Sequence, residues 1–228
     1  MFIDEDRLAE LSDKKVDVVI VGTGPAGISI ALELESLNVD CLLIEAGGFD
    51  FPAKEELDPY EGEIIGRPYP LKSSRLRFFG GTSGHWGGWV KPLDEEDFNT
   101  WPVSYTEVYK YLPAAHKILE IDDVGYDGSS LTADKLIDTQ DSKFFRTSNF
   151  QFSPPTRFGE KYRNRIKKSK KIYCALNTNL LQIKRDKDGV STKLTVKTVS
   201  GSIQTIHGRA FVLAMGGIEN PRYLLQSN

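Results

Sequence analysis

A short run near the N-terminus has the residue types and spacing to hold a phosphate. Gly22-Thr23-Gly24-Pro25-Ala26-Gly27 reads GxGxxG. In such a run the first glycine permits a tight turn. The second, lacking a Cβ, lets a diphosphate approach the backbone, and the third lets a helix pack close to a strand. A helix opening at Pro25 offers free N–H groups and a positive dipole end to the phosphates. Glu45 follows at about 20 residues, where an acidic side chain accepts hydrogen bonds from a ribose. Its charge would repel a 2′-phosphate and so disfavours NADP.

A second group lies in FFGGTSGHWGGW, residues 78–89, where glycines surround His85 and Trp86. Bare backbone beside an imidazole suits a close approach to a planar ligand. Other reactive types read as structural. His116 falls on an expected helix and His207 at an expected strand end. Cys41 opens an apolar run, and with Cys174 it makes neither a metal spacing nor a disulfide framework. The run of lysines from Lys167 to Lys171 reads as a solvated helix end.

Positioning these residues requires particular elements. The apolar run 16–21 ends in glycines and predicts a buried parallel strand. A helix is expected over 25–37, with Ile28, Ala31 and Leu32 on its apolar face. A second short strand is expected over 40–45, completing a βαβ unit with a right-handed crossover. Residues 46–79, rich in Gly, Pro and charge, predict a long functional loop. Ser104-Tyr105-Thr106-Glu107 is a capping box opening a helix that Pro113 should kink or break. A basic helix is expected over 160–169. Strands over 180–185, 193–199 and 202–207 form an antiparallel meander, with turns at Asp188-Gly189 and Ser200-Gly201. A further buried strand, 210–214, precedes Met215-Gly216-Gly217. Asn220 and Pro221 then read as N-cap and first residue of a helix.

The 228 residues carry a formal net charge of -3, with 39% hydrophobic and 27% charged residues. This is ordinary globular composition and gives no electrostatic case for nucleic acid or an anionic membrane as partner. The acidic, mixed N-terminus lacks the basic start and continuous apolar stretch of a signal peptide. No run is long enough for a transmembrane segment. A soluble, cytoplasmic protein is the expectation. An NAD domain would continue directly as βαβαβ. Here the first βαβ is followed by a long excursion and a meander, the interrupted arrangement expected of a flavoprotein. An NAD-dependent dehydrogenase and a non-catalytic FAD-binding subunit or fragment stay open as alternatives.

The chain resembles the glucose-methanol-choline (GMC) family of FAD-dependent oxidoreductases, in its pyranose-oxidase-like and bacterial sugar-dehydrogenase-like branch. The resemblance rests on VDVVIVGTGPAGISIALELE, LLIEAGG, SSRLRFFGGTSGHWGGWVKPLDEEDF, WPVSYTEV, FQFSPPTRFGEKYR and FVLAMGGIENPRYLLQSN, in that order. It implies an α/β, FAD-binding Rossmann-like fold: an interrupted parallel sheet with an antiparallel β-meander, incomplete without a C-terminal substrate domain. The whole of 1–228 is then the N-terminal part of the FAD-binding domain. Within it, 1–48 is the βαβ unit, 49–156 the flavin-covering excursion, and 157–228 the meander and return strand.

By the same resemblance the cofactor-binding residues are Gly22, Gly24, Pro25, Ala26, Gly27, Glu45, Ala46, Gly80, Gly81, Thr82, His85, Trp86, Gly87, Leu180, Ala214 and Gly216. Glu45 holds the adenosine ribose, and the strand at Leu180 passes the adenine. Residues 80–87 wrap flavin and pyrophosphate. His85 stands where some relatives bond covalently to the flavin 8α-methyl, although the residue before it differs. The activity implied is oxidation of a CH–OH group of an alcohol or sugar, with an unspecified electron acceptor. The family's catalytic histidine, paired with a second His or Asn, is expected beyond Asn228. No residue here matches that pair, so none is assigned as catalytic and this chain alone is expected to be inactive.

Overall fold

The computed structural model describes residues 1–122, 125–128, 147–185, 187–188 and 190–227. Two compact units emerge: Met1–His85 with Arg157–Asn228, and Trp86–Thr156.

In the first unit, a two-residue strand β1 (Phe2–Ile3) leads to helix α1 (Glu5–Ser12). The Asp4 side chain caps α1 by accepting from the Arg7 N–H at 2.9 Å. Strand β2 (Val16–Val21), helix α2 (Pro25–Ser36) and strand β3 (Cys41–Ile44) form the expected βαβ unit. All four residues of β3 are buried, as a strand covered on both faces must be. Helix α2 buries Ile28, Ala31 and Leu32.

Helix α5 (Phe158–Lys168), named here after two helices of the second unit, sits where the basic helix was expected. It buries Phe158, Tyr162 and Ile166 at i, i+4 and i+8. Strand β6 (Ile172–Ala175) follows, then the meander strands β7 (Thr178–Arg185) and β8 (Ser191–Thr198).

The return strand differs from expectation. Residues 202–207 and 210–214 were read as two strands, but β9 (Ile203–Leu213) is continuous. Its first half pairs antiparallel with β8, and its second half pairs parallel with β2. Gly208 marks the junction, where a Cβ would lie 2.9 Å from Val19 Cγ2. The glycine there permits close passage over β2; it does not break the strand.

Among the described residues, one sheet runs in the order β1-β6-β3-β2-β9-β8-β7. The first four pairings are parallel and the last two antiparallel. Its mixed α/β character and mainly parallel sheet are those of the FAD-binding Rossmann-like fold. One face packs Val19, Val21, Leu42 and Ile44 with Ile183, Leu194, Val196 and Ile206 of the meander. The turn at Ser200-Gly201 is present, with Gly201 at φ +93°. The Asp188-Gly189 turn includes Gly189, outside the described residues.

Helix α6 (Glu219–Gln226) begins earlier than expected. Asn220 is not its N-cap. The Asn220 side chain turns back, donating to the Leu213 carbonyl at 2.9 Å and accepting from the Met215 N–H at 3.0 Å. The strand end leaves one acceptor and one donor unpaired, and a single amide satisfies both. Pro221 still falls in the first turn, where its missing N–H costs nothing.

The second unit contains the ribbon β4 (Trp89–Val90) with β5 (Gln151–Phe152), and helices α3 (Tyr105–Tyr109) and α4 (Leu112–Leu119). The Ser104–Glu107 capping box is formed. The expected break falls just before Pro113, which occupies the first turn of α4. His116 is buried on α4 with Nε2 at 2.8 Å from the Tyr126 hydroxyl. No helix of the described residues is long and apolar enough to cross a membrane.

Candidate functional site

The first unit contains a cleft of about 760 Å³ at the C-terminal ends of its parallel strands. That is where open α/β sheets hold ligands. Three sequence-distant segments form its floor. Gly22, Gly24, Pro25 and Ala26 come from the β2–α2 turn, Glu45 and Ala46 from the end of β3, and Ala214 and Gly216 from the end of β9.

The glycines of the turn differ in what they permit. Gly22 has φ +104°, and a Cβ there would meet Ala214 O at 2.5 Å. A Cβ on Gly27 would meet Gly22 O at 2.0 Å, so this residue packs beneath the turn and does not line the cleft. Gly24 is the opposite case, with no protein atom within 4 Å of a Cβ built there. Its bare face opens on free space. The turn's carbonyl at Gly24 accepts from Ile28 N–H at 3.0 Å, and no side chain caps α2. The Gly24, Ala26 and Gly27 amides are therefore the ones left for an anion, since Pro25 has no N–H and Thr23 N–H is held by Glu45.

The second glycine segment packs on this turn. Gly80 N–H donates to Thr23 O at 3.1 Å, and a Cβ on Gly81 would lie 2.9 Å from Gly24 Cα. Gly81 and Thr82 line the cleft. Gly80 faces away from it, against the start of α5, where a Cβ would meet Gly159 N at 2.4 Å. His85 is exposed and outside the cleft lining. Trp86 and Gly87 belong to the second unit, where Trp86 Nε1 donates to Thr156 O at 3.0 Å.

Glu45 is 6% exposed. One carboxylate oxygen accepts from Thr23 N–H at 3.0 Å and Thr23 Oγ1 at 2.7 Å, and the other from Gly47 N–H at 3.0 Å. A carboxylate has about four acceptor positions, so one remains for a ligand hydroxyl. Burial pushes the Glu45 carboxyl up, against the opposing pull of the Thr23 and Gly47 hydrogen bonds and the Arg77 charge. Leu180 lines the cleft beside Thr178 and Asn179. Its side chain is in the core, and its carbonyl accepts from the Tyr223 hydroxyl at 2.8 Å.

The loop 49–79 contributes residues that sequence reasoning missed: Tyr60, Tyr69, Arg75 and Arg77 line the cleft, as do Glu219 and Arg222 of α6. Arg77 donates to Glu56 O at 2.8 Å, and also to Asn179 Oδ1. The usable signal was the alternation in SSRLRF. In an extended segment, residues two apart face the same side.

Comparison with known proteins bears on this cleft. Residues 15–51 match the family described as FAD binding domain. They cover β2, the glycine turn, α2, β3 and Glu45. The cofactor is FAD.

No curated protein matches. Among solved structures, pyridoxine 4-oxidase from Mesorbium loti is similar with a TM-score of 0.60 and 16% identity, over 93% of this chain and 52% of that one. A formate oxidase variant from Aspergillus oryzae RIB40 gives 0.59 and 18%, over 93% of this chain and 47% of that one. At such identity the likeness is one of fold. This chain spans about half the length of the structures it matches.

Proposed function

We propose that this chain is the FAD-holding part of a flavin-dependent oxidoreductase of the GMC type, acting on CH–OH groups of alcohols or sugars. The observation that carries the reading is the cleft itself. A Cβ-free approach at Gly24, uncapped amides at the start of α2 and a buried carboxylate at Glu45 converge on one space. That set fits a diphosphate joined to a ribose. The amides ahead of Ile28 hold the pyrophosphate, with Gly81 and Thr82 closing over it. Glu45 orients the adenosine ribose through its remaining acceptor position. The Leu180 strand and Ala214 to Gly216 flank the adenine side. The bound flavin supplies a hydride acceptor at N5, and the protein positions it and excludes water. His85 is the candidate point of covalent attachment to the flavin.

The test is anaerobic mixing of the purified, flavin-loaded gene product with a panel of primary alcohols, secondary alcohols and aldoses. Bleaching of the flavin's visible absorption by a member of the panel supports the reading. A stably yellow protein that no alcohol or sugar reduces, yet dithionite does, contradicts it and leaves a non-catalytic FAD-binding module.

A further inference from the structure

The loop between β3 and the glycine segment carries charge that the FAD reading does not use. Arg75 Nη1 donates to Glu219 Oε1 at 2.5 Å, and Arg222 Nη2 to Glu219 Oε2 at 2.6 Å. Each carboxylate oxygen therefore holds one arginine. The side chains of Arg75 and Glu219 are only 14% and 6% exposed. Arg75 also gathers its own loop. Its Nε donates to Leu71 O and its Nη2 to Tyr60 O, both at 3.2 Å. Its guanidinium lies 4.1 Å from the centre of the Tyr60 ring. Arg222 Nη1 reaches Pro59 O at 3.5 Å. The two arginines thus tie residues 59–75 to α6, and both segments are walls of the cleft.

This cluster is a poor device for stability alone. A buried ion network recovers its desolvation cost only with good geometry and full hydrogen bonding. Arg75 and Glu219 are the cluster's buried members, whereas the Arg222 side chain is 39% exposed. A buried ion pair is weak evidence for stability, and its place at a cleft wall points to a role in function.

We propose that Arg75 and Glu219 are positioning residues for the ADP half of the cofactor: their ion pair holds the 49–79 loop against α6 and sets how fast cofactor enters and leaves. The proposal rests on the FAD reading of the cleft. Movement of the loop away from α6 opens a wall of the cleft, since both segments line it. Parting separates Arg75 from Glu219 and strips a buried carboxylate of one of its two cations. That cost slows release of bound ligand. With the pair removed, the loop parts freely.

The experiment measures dissociation of FAD, and separately of ADP, from the full chain by stopped-flow displacement. Wild type, Arg75→Met, Glu219→Gln and Arg75→Lys are compared at low and high salt. Arg75→Met and Glu219→Gln are expected to release both ligands about tenfold faster or more. Arg75→Lys should fall between them and wild type, because it keeps the charge and loses the fork. Because the pair is buried, its effect should persist at high salt. A folded Arg75→Met that releases both ligands at the wild-type rate overturns the proposal. Should Arg75→Met not fold, a folded Glu219→Gln or Arg75→Lys that releases both ligands at the wild-type rate overturns it equally. A wild type that binds neither FAD nor ADP removes the FAD reading, and this role with it.

Discussion

Glu45 illustrates how one side chain can serve both the fold and a ligand. Its carboxylate holds the glycine turn through Thr23 and the start of the next loop through Gly47. Glutamine has one acceptor oxygen, so its NH₂ would face a donor at Thr23 or Gly47. Glu45→Gln should weaken FAD binding about tenfold or more, since a charge-assisted hydrogen bond is worth about 1.5–3 kcal/mol. An unchanged titration would contradict the ribose role. The same residue predicts a pH dependence. Its folded pKa is raised by burial. The folded state therefore holds the proton more tightly than the unfolded state does. Stability falls as pH rises above the ordinary value of about 4.3 and levels off above the folded pKa. The stability of wild type relative to Glu45→Gln should shrink with rising pH across that window in thermal melts. A difference that grows with pH would refute the buried-charge cost. His85 carries a separate prediction. If its ring is bonded to the flavin 8α-methyl, acid-precipitated protein retains the flavin and fluoresces on a denaturing gel. His85→Ala then releases the flavin on denaturation yet still binds it when native. Free FAD in the supernatant of precipitated wild type rules out the bond and leaves the cofactor assignment standing.

The elements that signal themselves locally were readable in the sequence. Strand β2 is apolar but for Asp17 and β3 is wholly apolar, α2 opens on a proline, and the Ser104 box starts α3. Other elements depend on partners distant in the chain. Strand β6 follows the lysine run from Lys167 to Lys171 and is defined by pairing with β3 and β1. Helix α1 is polar enough to resemble a loose N-terminus, and Leu8 and Leu11 become core only when they are buried. Gly208 looks like a break because the close approach to Val19 that requires it is not local. In the cleft, Gly22, Gly24 and Glu45 were legible from spacing, whereas Gly27 and Gly80 pack away from it, and Arg75, Arg77, Glu219 and Arg222 meet only through tertiary structure. Asn220 was seen as a helix cap and instead closes the β9–α6 corner. Asn220→Leu should therefore cost about 1–3 kcal/mol, the range for leaving buried backbone groups unsatisfied. Urea melts measure it. A cost under about 0.5 kcal/mol, typical of surface substitutions, would show that the corner does not depend on this amide.

At the scale of the whole molecule, the cleft is built within a single compact unit, Met1–His85 with Arg157–Asn228. Cofactor binding is therefore a property that this chain can be asked for directly, apart from turnover. The fold is shared with flavin oxidases about twice its length, at 16% and 18% identity. The most direct test is titration of the purified chain with FAD, alongside ADP and NAD, in wild type and Gly24→Val. A Cβ at position 24 meets no protein atom within 4 Å and the backbone there is not left-handed, so the variant should melt close to wild type. Its side chain fills the space proposed for the pyrophosphate. The account predicts saturable FAD binding by wild type at one per chain, displaced by ADP, and lost in a normally folded Gly24→Val. Undiminished FAD binding by that variant, or a wild type that takes NAD in preference to FAD, would contradict it.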